Sequence, residues 1–173
     1  ELLNEILIHD DNFVYSLSKQ PILLKNKRHI NFVSTIEQFD LKMLEDKKID
    51  TIYYLAQSNK FRDFPQSSLD VFEVNIKGPL QFIDWAFKKN IKSFIYASSG
   101  GIYSEEISLK ENTKINLENN LGFYLNSKIC AEIILSNYKD FFESLIILRP
   151  FFIYGERQKK DMLIPRLISM IKN

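Results

Sequence analysis

Short apolar runs alternate with helical patterns along most of this chain, and that alternation leaves few folds open to it. Phe13 to Leu17, Ile30 to Ser34, Thr51 to Leu55, Ser93 to Ala97 and Leu145 to Leu148 carry the aromatic and β-branched residues of buried strands. Around them, Glu1 to Ile8, Leu41 to Lys48, Leu69 to Lys89, Tyr124 to Tyr138 and Met162 to Lys172 read as helices. Strands alternating with helices predict an α/β fold with a parallel, doubly wound sheet and right-handed crossovers. The chain has 173 residues, 45% hydrophobic and 26% charged, which suits one domain spanning residues 1–173 with a sizeable core.

Charge and composition narrow the function. A net charge of +1 gives no pull towards nucleic acid or an anionic membrane. No apolar stretch approaches the ~20 residues that span a bilayer, and no signal peptide is visible. The single cysteine, Cys130, has no internal disulfide partner, which fits a reducing cytoplasm. Its neighbours Ile129, Ala131 and Ile133 predict a buried, inert thiol. Two scattered histidines, His9 and His29, with that one cysteine offer no metal site.

The chemistry gathers in three segments. In Gly122-Phe-Tyr-Leu-Asn-Ser-Lys128 the phenol and the ammonium stand one helical turn apart, on one face. A free phenol has a pKa near ~10 and is a poor base. A fixed cation favours the phenolate, so Tyr124 and Lys128 form a sensible proton-transfer pair. The same spacing also arises as an ordinary amphipathic pair. Upstream, the strand Ser93 to Ala97 ends in Ser98-Ser99-Gly100-Gly101, where open α/β sheets place ligands. Ser99 is the expected reactive hydroxyl and Ser98 its alternative. Downstream, Leu145 to Leu148 runs into Arg149-Pro-Phe-Phe-Ile-Tyr-Gly155. Within the long helix, Gly78-Pro79 breaks the pattern. Pro79 cannot donate to the Asn75 carbonyl, so a bend and a freed acceptor are expected there.

Taken in order, Tyr53 to Ala56, Asp70 to Gly78 with its Asn-x-x-Gly, Ser93 to Tyr103, Tyr124 to Lys128 and Leu148 to Gly155 resemble the extended short-chain dehydrogenase/reductase superfamily. Within it they resemble the NAD(P)-dependent sugar epimerase/dehydratase family. The resemblance implies a Rossmann-like domain and a nucleotide-sugar substrate. It makes Tyr124 the general base towards a sugar hydroxyl, with Lys128 binding the nicotinamide ribose and lowering the Tyr124 pKa. It assigns Ser99 to the same substrate oxygen. Ala56 and Asn75 would line the cofactor, and Phe151 would lie near the nicotinamide or substrate; Ala56 and Phe151 also read as core packing. Members often form a homodimer through two packed helices, which here would be Leu69 to Lys89 and Tyr124 to Tyr138.

Two departures from the family pattern stand out. The family opens with a strand and a Gly-x-x-Gly-x-x-Gly turn that holds the pyrophosphate. No glycine precedes Gly78 here, and Glu1 to Ile6 resembles the helix that follows that turn. The first strand, central in the order 3-2-1-4-5-6, and most of the C-terminal substrate lobe are then missing. Two expectations follow: an internal fragment of a longer protein, or a short chain pairing its second strand with its fourth. The latter, without its phosphate loop, would be a non-catalytic binding module. Secondly, the dehydratases' Asp-Glu pair after the reactive hydroxyl is replaced by Gly100 and Gly101, which favours an epimerase; a reductase also fits. NAD is the expected cofactor. Ser18-Lys19 stands where an acidic residue would select it, and keeps NADP and a keto-sugar reductase open.

Overall fold

The computed structural model describes residues 2–103, 109–115, 117, 121–155, 158, 160 and 162–172. Five strands follow the expected runs: β1 (Val14–Ser18), β2 (His29–Val33), β3 (Thr51–Tyr54), β4 (Ser93–Ala97) and β5 (Ser144–Leu148). The helices are α1 (Leu2–Ile8), α2 (Ser68–Phe72), α3 (Gly78–Lys88), α4 (Gly122–Ser136) and α5 (Leu163–Lys172). The helix expected over Leu41 to Lys48 is a 3-10 turn, Leu41–Leu44. The polar run Glu45 to Lys48 has no apolar side to bury and stays outside it.

All strand pairs are parallel, but they form two sheets. β1 pairs with β2, while β4 lies between β3 and β5. The expected alternative pairing of β1 with β3 does not occur. Side chains connect the sheets instead. Tyr15, Phe32, Phe39, Phe82 and Tyr54 follow one another with ring centres 5.4 to 6.4 Å apart. This aromatic row supplies dispersion contact where the backbone supplies no hydrogen bond.

β4 is central in its sheet, and Phe94, Ile95 and Tyr96 are all buried. Phe94 and Tyr96 pack with Tyr54, Ile83, Ala86, Ala131, Leu135 and Phe142 into the main core. Helix α3 ends in a left-handed Asn90 (φ 53°), with Ile91 N–H bonding the Ala86 carbonyl at 3.0 Å. That cap satisfies carbonyls the last turn would leave open and turns the chain into β4.

The predicted bend in the long helix is a π-helical turn, Glu73–Lys77, between α2 and α3. Gly78 N–H reaches back to the Glu73 carbonyl, and Pro79, next in line, has no N–H to give. Two tyrosines serve the carbonyls left over: the Tyr54 hydroxyl donates to Val74 at 2.7 Å, and the Tyr96 hydroxyl to Asn75 at 3.4 Å. Glycine is needed at position 78 because a Cβ there would collide with the Tyr54 hydroxyl and with Ile36.

Candidate active site

Because β3, β4 and β5 run parallel, the segments leaving their carboxyl ends share one edge of the sheet. The turn after β4 is tied to the segment after β5. Ser98 N–H bonds the Leu148 carbonyl at 2.7 Å, and Gly100 N–H bonds the Pro150 carbonyl at 2.8 Å. Ser98 is buried, and its hydroxyl has no partner among the described residues. Ser99 caps the 3-10 turn Gly100–Ile102, its Oγ accepting from Gly101 N–H at 3.2 Å. Of the two serines, Ser99 is the one that acts on the Tyr124 phenol.

Helix α4 begins at Gly122, whose φ of +80° admits a glycine readily and a side chain at a cost. Tyr124 therefore sits in the first turn, over the strand ends. Its hydroxyl donates to Gln57 Oε1 at 2.9 Å, and its ring lies 4.8 Å from that of Phe61. Burial pushes the Tyr124 phenol up, and the nearby Ser99 hydroxyl opposes that by favouring the phenolate. The net direction is the opposite of the lowering expected from a neighbouring ammonium.

Lys128 explains the difference. It is 1% exposed, and its Nζ donates to the Ala97 carbonyl at 2.9 Å while lying 5.1 Å from the Tyr96 ring centre. The ammonium shares the helix face with Tyr124, but its own bond is to β4. Burial pulls Lys128 down to about 8, against the raising effect of Glu132.

Asn75 is fully buried and joins three elements rather than presenting a free amide. Its Oδ1 accepts from Ser58 N–H at 3.0 Å and its Nδ2 donates to Ser127 Oγ at 3.0 Å. Ser127 Oγ in turn donates to the Tyr124 carbonyl at 2.6 Å, so Asn75 fixes the first turn of α4. Ala56 packs against the core just beyond β3. Phe151 stacks on Tyr103 at 6.3 Å and lies over Gly100, where an added Cβ would meet its ring at 2.7 Å. Ser18 and Lys19 stand apart, at the end of β1 in the other sheet. The Ser18 hydroxyl donates to the Gln20 carbonyl and accepts from Asn31, while the Lys19 charge acts on Asp70.

Sequence reasoning missed Gln57, Phe61 and Glu132. Gln57 directly follows Ala56, and Glu132 continues the Tyr124–Lys128 stripe by one more turn, so both were within reach of spacing arguments. The buried thiol expected at Cys130 is a correction: Cys130 is exposed. The buried stripe of α4 carries Ser127, Lys128, Ala131, Glu132 and Leu135, which turns Cys130 and Ile133 outward. Among the described residues no helix is long and apolar enough to cross a membrane.

Residues 13–173 match the model of the NAD dependent epimerase/dehydratase family. The chain is 30% identical over 142 residues to a dTDP-D-glucose 4,6-dehydratase of Dictyostelium discoideum, covering 76% of this chain and 33% of that protein. It is 24% identical over 176 residues to the dTDP-D-glucose 4,6-dehydratase of Homo sapiens, covering 98% of this chain and 50% of that one. Among solved structures, the UDP-glucuronic acid 4-epimerase of Bacillus cereus, in complex with UDP-glucuronic acid and NAD, superposes with a TM-score of 0.81 at 25% identity. That match covers 99% of this chain and 58% of the epimerase. The chain thus spans a third to a half of the length of these two dehydratases. It belongs to the NAD dependent epimerase/dehydratase family.

Proposed function

We propose that this chain is the dinucleotide-binding core of an NAD-linked enzyme acting on a nucleotide-activated sugar, with epimerase chemistry. The observation that carries the reading is the placement of Ser99, just after β4, close enough to Tyr124 in the first turn of α4 to favour its phenolate, with Lys128 one turn along the same helix. The donor set suits the nicotinamide end of the cofactor. Tyr124 and Lys128 would hold the ribose, Ala56 offers a small side chain beside it, and the unpartnered Ser98 hydroxyl is a polar group that a ligand can satisfy. NAD, when bound, supplies the hydride acceptor and donor that epimerisation needs.

The protein's own part is proton handling. Tyr124 takes the proton from a sugar hydroxyl, and Ser99 donates to the same oxygen as charge develops on it. Gln57 Oε1 already accepts from the phenol, so substrate must displace that hydrogen bond. A charged Lys128 favours the phenolate. Water elimination fits less well. A carboxylate in place of Gly100 would have its Cβ inside the Phe151 ring contact, and glycine at 101 supplies no acid either.

A direct test is proton NMR of UDP-glucuronic acid incubated with the protein and NAD, watching the sugar C4 proton. Conversion to the C4 epimer is expected, and Tyr124→Phe should abolish it. A cooperatively folded protein whose melting midpoint NAD does not raise, and which converts no nucleotide sugar, would sink the proposal. A second reading, an NADP-linked reductase of a keto-sugar, draws on Ser18 and Lys19, which put a hydroxyl and a cation at the end of β1. It would be favoured if NADP raised the midpoint more than NAD.

A further inference from the structure

A second buried charged cluster adjoins the Ser99, Tyr124 and Lys128 group. Glu132 is 5% exposed and lies one turn beyond Lys128, so Tyr124, Lys128 and Glu132 form a single stripe on α4. Arg149, the residue after β5, grips its carboxylate from the sheet side. Arg149 Nε lies 3.1 Å from Oε1 and 3.2 Å from Oε2, and Nη2 lies 2.7 Å from Oε2. The remaining Nη1 donates to the Tyr103 hydroxyl at 2.6 Å and to the Glu111 carbonyl at 3.3 Å.

An ion pair in this position is not needed to hold α4 against the sheet. Apolar residues of similar volume often do as well or better, because each buried charge carries a desolvation cost. What apolar residues cannot provide is a negative charge beside a buried lysine. Among the described residues Lys128 makes no ion pair with a carboxylate; its hydrogen bond goes to a backbone carbonyl.

We propose that Glu132 is a positioning residue for Lys128: its carboxylate, fixed by Arg149, is the buried counter-charge that keeps the Lys128 ammonium protonated beside Tyr124. This rests on the reading of Lys128 as the cation of the site. Among the described residues, the titratable and charged groups that act on or touch Lys128 are Tyr96 from β4 and Glu132 from α4, with Arg149 bound to Glu132 and Tyr124 one turn earlier on the same helix face. Burial alone drives Lys128 towards the neutral amine, and Glu132 is the group that opposes it. Arg149 occupies both carboxylate oxygens, so Glu132 acts on Lys128 through space without drawing Nζ away from Ala97.

The test reads Lys128 directly and needs neither cofactor nor turnover. The protein is labelled with 13Cε-lysine, the Lys128 resonance is assigned with Lys128→Arg, and its chemical shift is followed from pH 6 to 11. Wild type should titrate at about 8. Glu132→Gln should move that midpoint down by about one pH unit, and Glu132→Asp should restore most of it. Arg149→Met should move it up, because the carboxylate then has Lys128 as its cation. A role confined to packing predicts no signed pair of shifts. An unchanged midpoint in Glu132→Gln overturns the inference, and this variant suffices if Arg149→Met does not fold. Signed shifts in a protein that converts no sugar would defeat the catalytic reading alone. Turnover lost with Lys128→Met, beside an unmoved midpoint in Glu132→Gln, would defeat this inference alone.

Discussion

The Lys128 ammonium donates to the Ala97 carbonyl at 2.9 Å from a position only 1% exposed, so a charge on α4 is bonded to the end of the central strand. Desolvation makes that charge expensive, which ties folding stability to pH. The folded lysine titrates at about 8, below the ~10.4 of an unfolded chain. Between those values the unfolded chain binds more protons, so stability rises with pH; below 8 both states are protonated and the penalty is full. The gain across this window should be at most about 3 kcal/mol. Tyr54 and Tyr96, both held above their ordinary range by burial, act in the opposite sense only above about pH 10. Urea unfolding at pH 8, 9 and 10 should therefore show wild type gaining relative to Lys128→Met. Equal slopes for the two proteins would contradict this assignment.

Tyrosine hydroxyls take the place of the missing Pro79 N–H, and that makes Tyr54 a structural residue of the site. Tyr54→Phe leaves the Val74 carbonyl buried without its 2.7 Å donor. The expected loss is about 1 to 3 kcal/mol. Tyr96→Phe should cost less, since its bond to Asn75 is 3.4 Å long. Denaturant midpoints in the reverse order would show that the π-turn is held in some other way.

The contact between Gly100 and Phe151 also makes a quantitative claim. Gly100→Ala places a Cβ 2.7 Å from the Phe151 ring, while the Gly100 N–H bond to Pro150 limits any retreat of the backbone. The expected cost is about 1 to 2 kcal/mol. In a Phe151→Ala background most of that cost should vanish, and a double-mutant cycle of melting measurements gives the coupling. Additive effects of the two substitutions would mean that the ring moves aside freely.

Much of this was legible in the sequence where one physical demand dominates. Ser93 to Ala97 reads as a strand because a strand buried on both faces must be apolar throughout, and β4 has those bounds. Gly78-Pro79 forced a defect in the helix because proline has no N–H. The sequence did not disclose which tyrosines would serve the freed carbonyls, since Tyr54 and Tyr96 come from two different strands. The division into two sheets was equally hidden, because the aromatic row from Tyr15 to Tyr54 depends on residues far apart in the chain. Glu132 escaped notice for another reason. A carboxylate on a helix reads as a solvent-facing residue, and only Arg149, arriving from β5, lets it lie on the buried side.

The influence of Ser99 on Tyr124 yields the sharpest test of the proposed chemistry. Burial holds the Tyr124 phenol above its ordinary value, and Ser99 pulls it back by favouring the phenolate. Ser99→Ala leaves burial unopposed, so the Tyr124 titration must move further to alkaline pH. The ascending limb of the pH–rate profile should move with it, and turnover at neutral pH should fall about 10²-fold. Phenolate absorbance, taken as a difference against Tyr124→Phe, follows the titration without substrate. Ser98→Ala is the control: its buried hydroxyl has no partner among the described residues and does not touch the phenol, so the Tyr124 titration should stay in place. A shift caused by Ser98→Ala and not by Ser99→Ala would transfer the catalytic assignment from the second serine to the first.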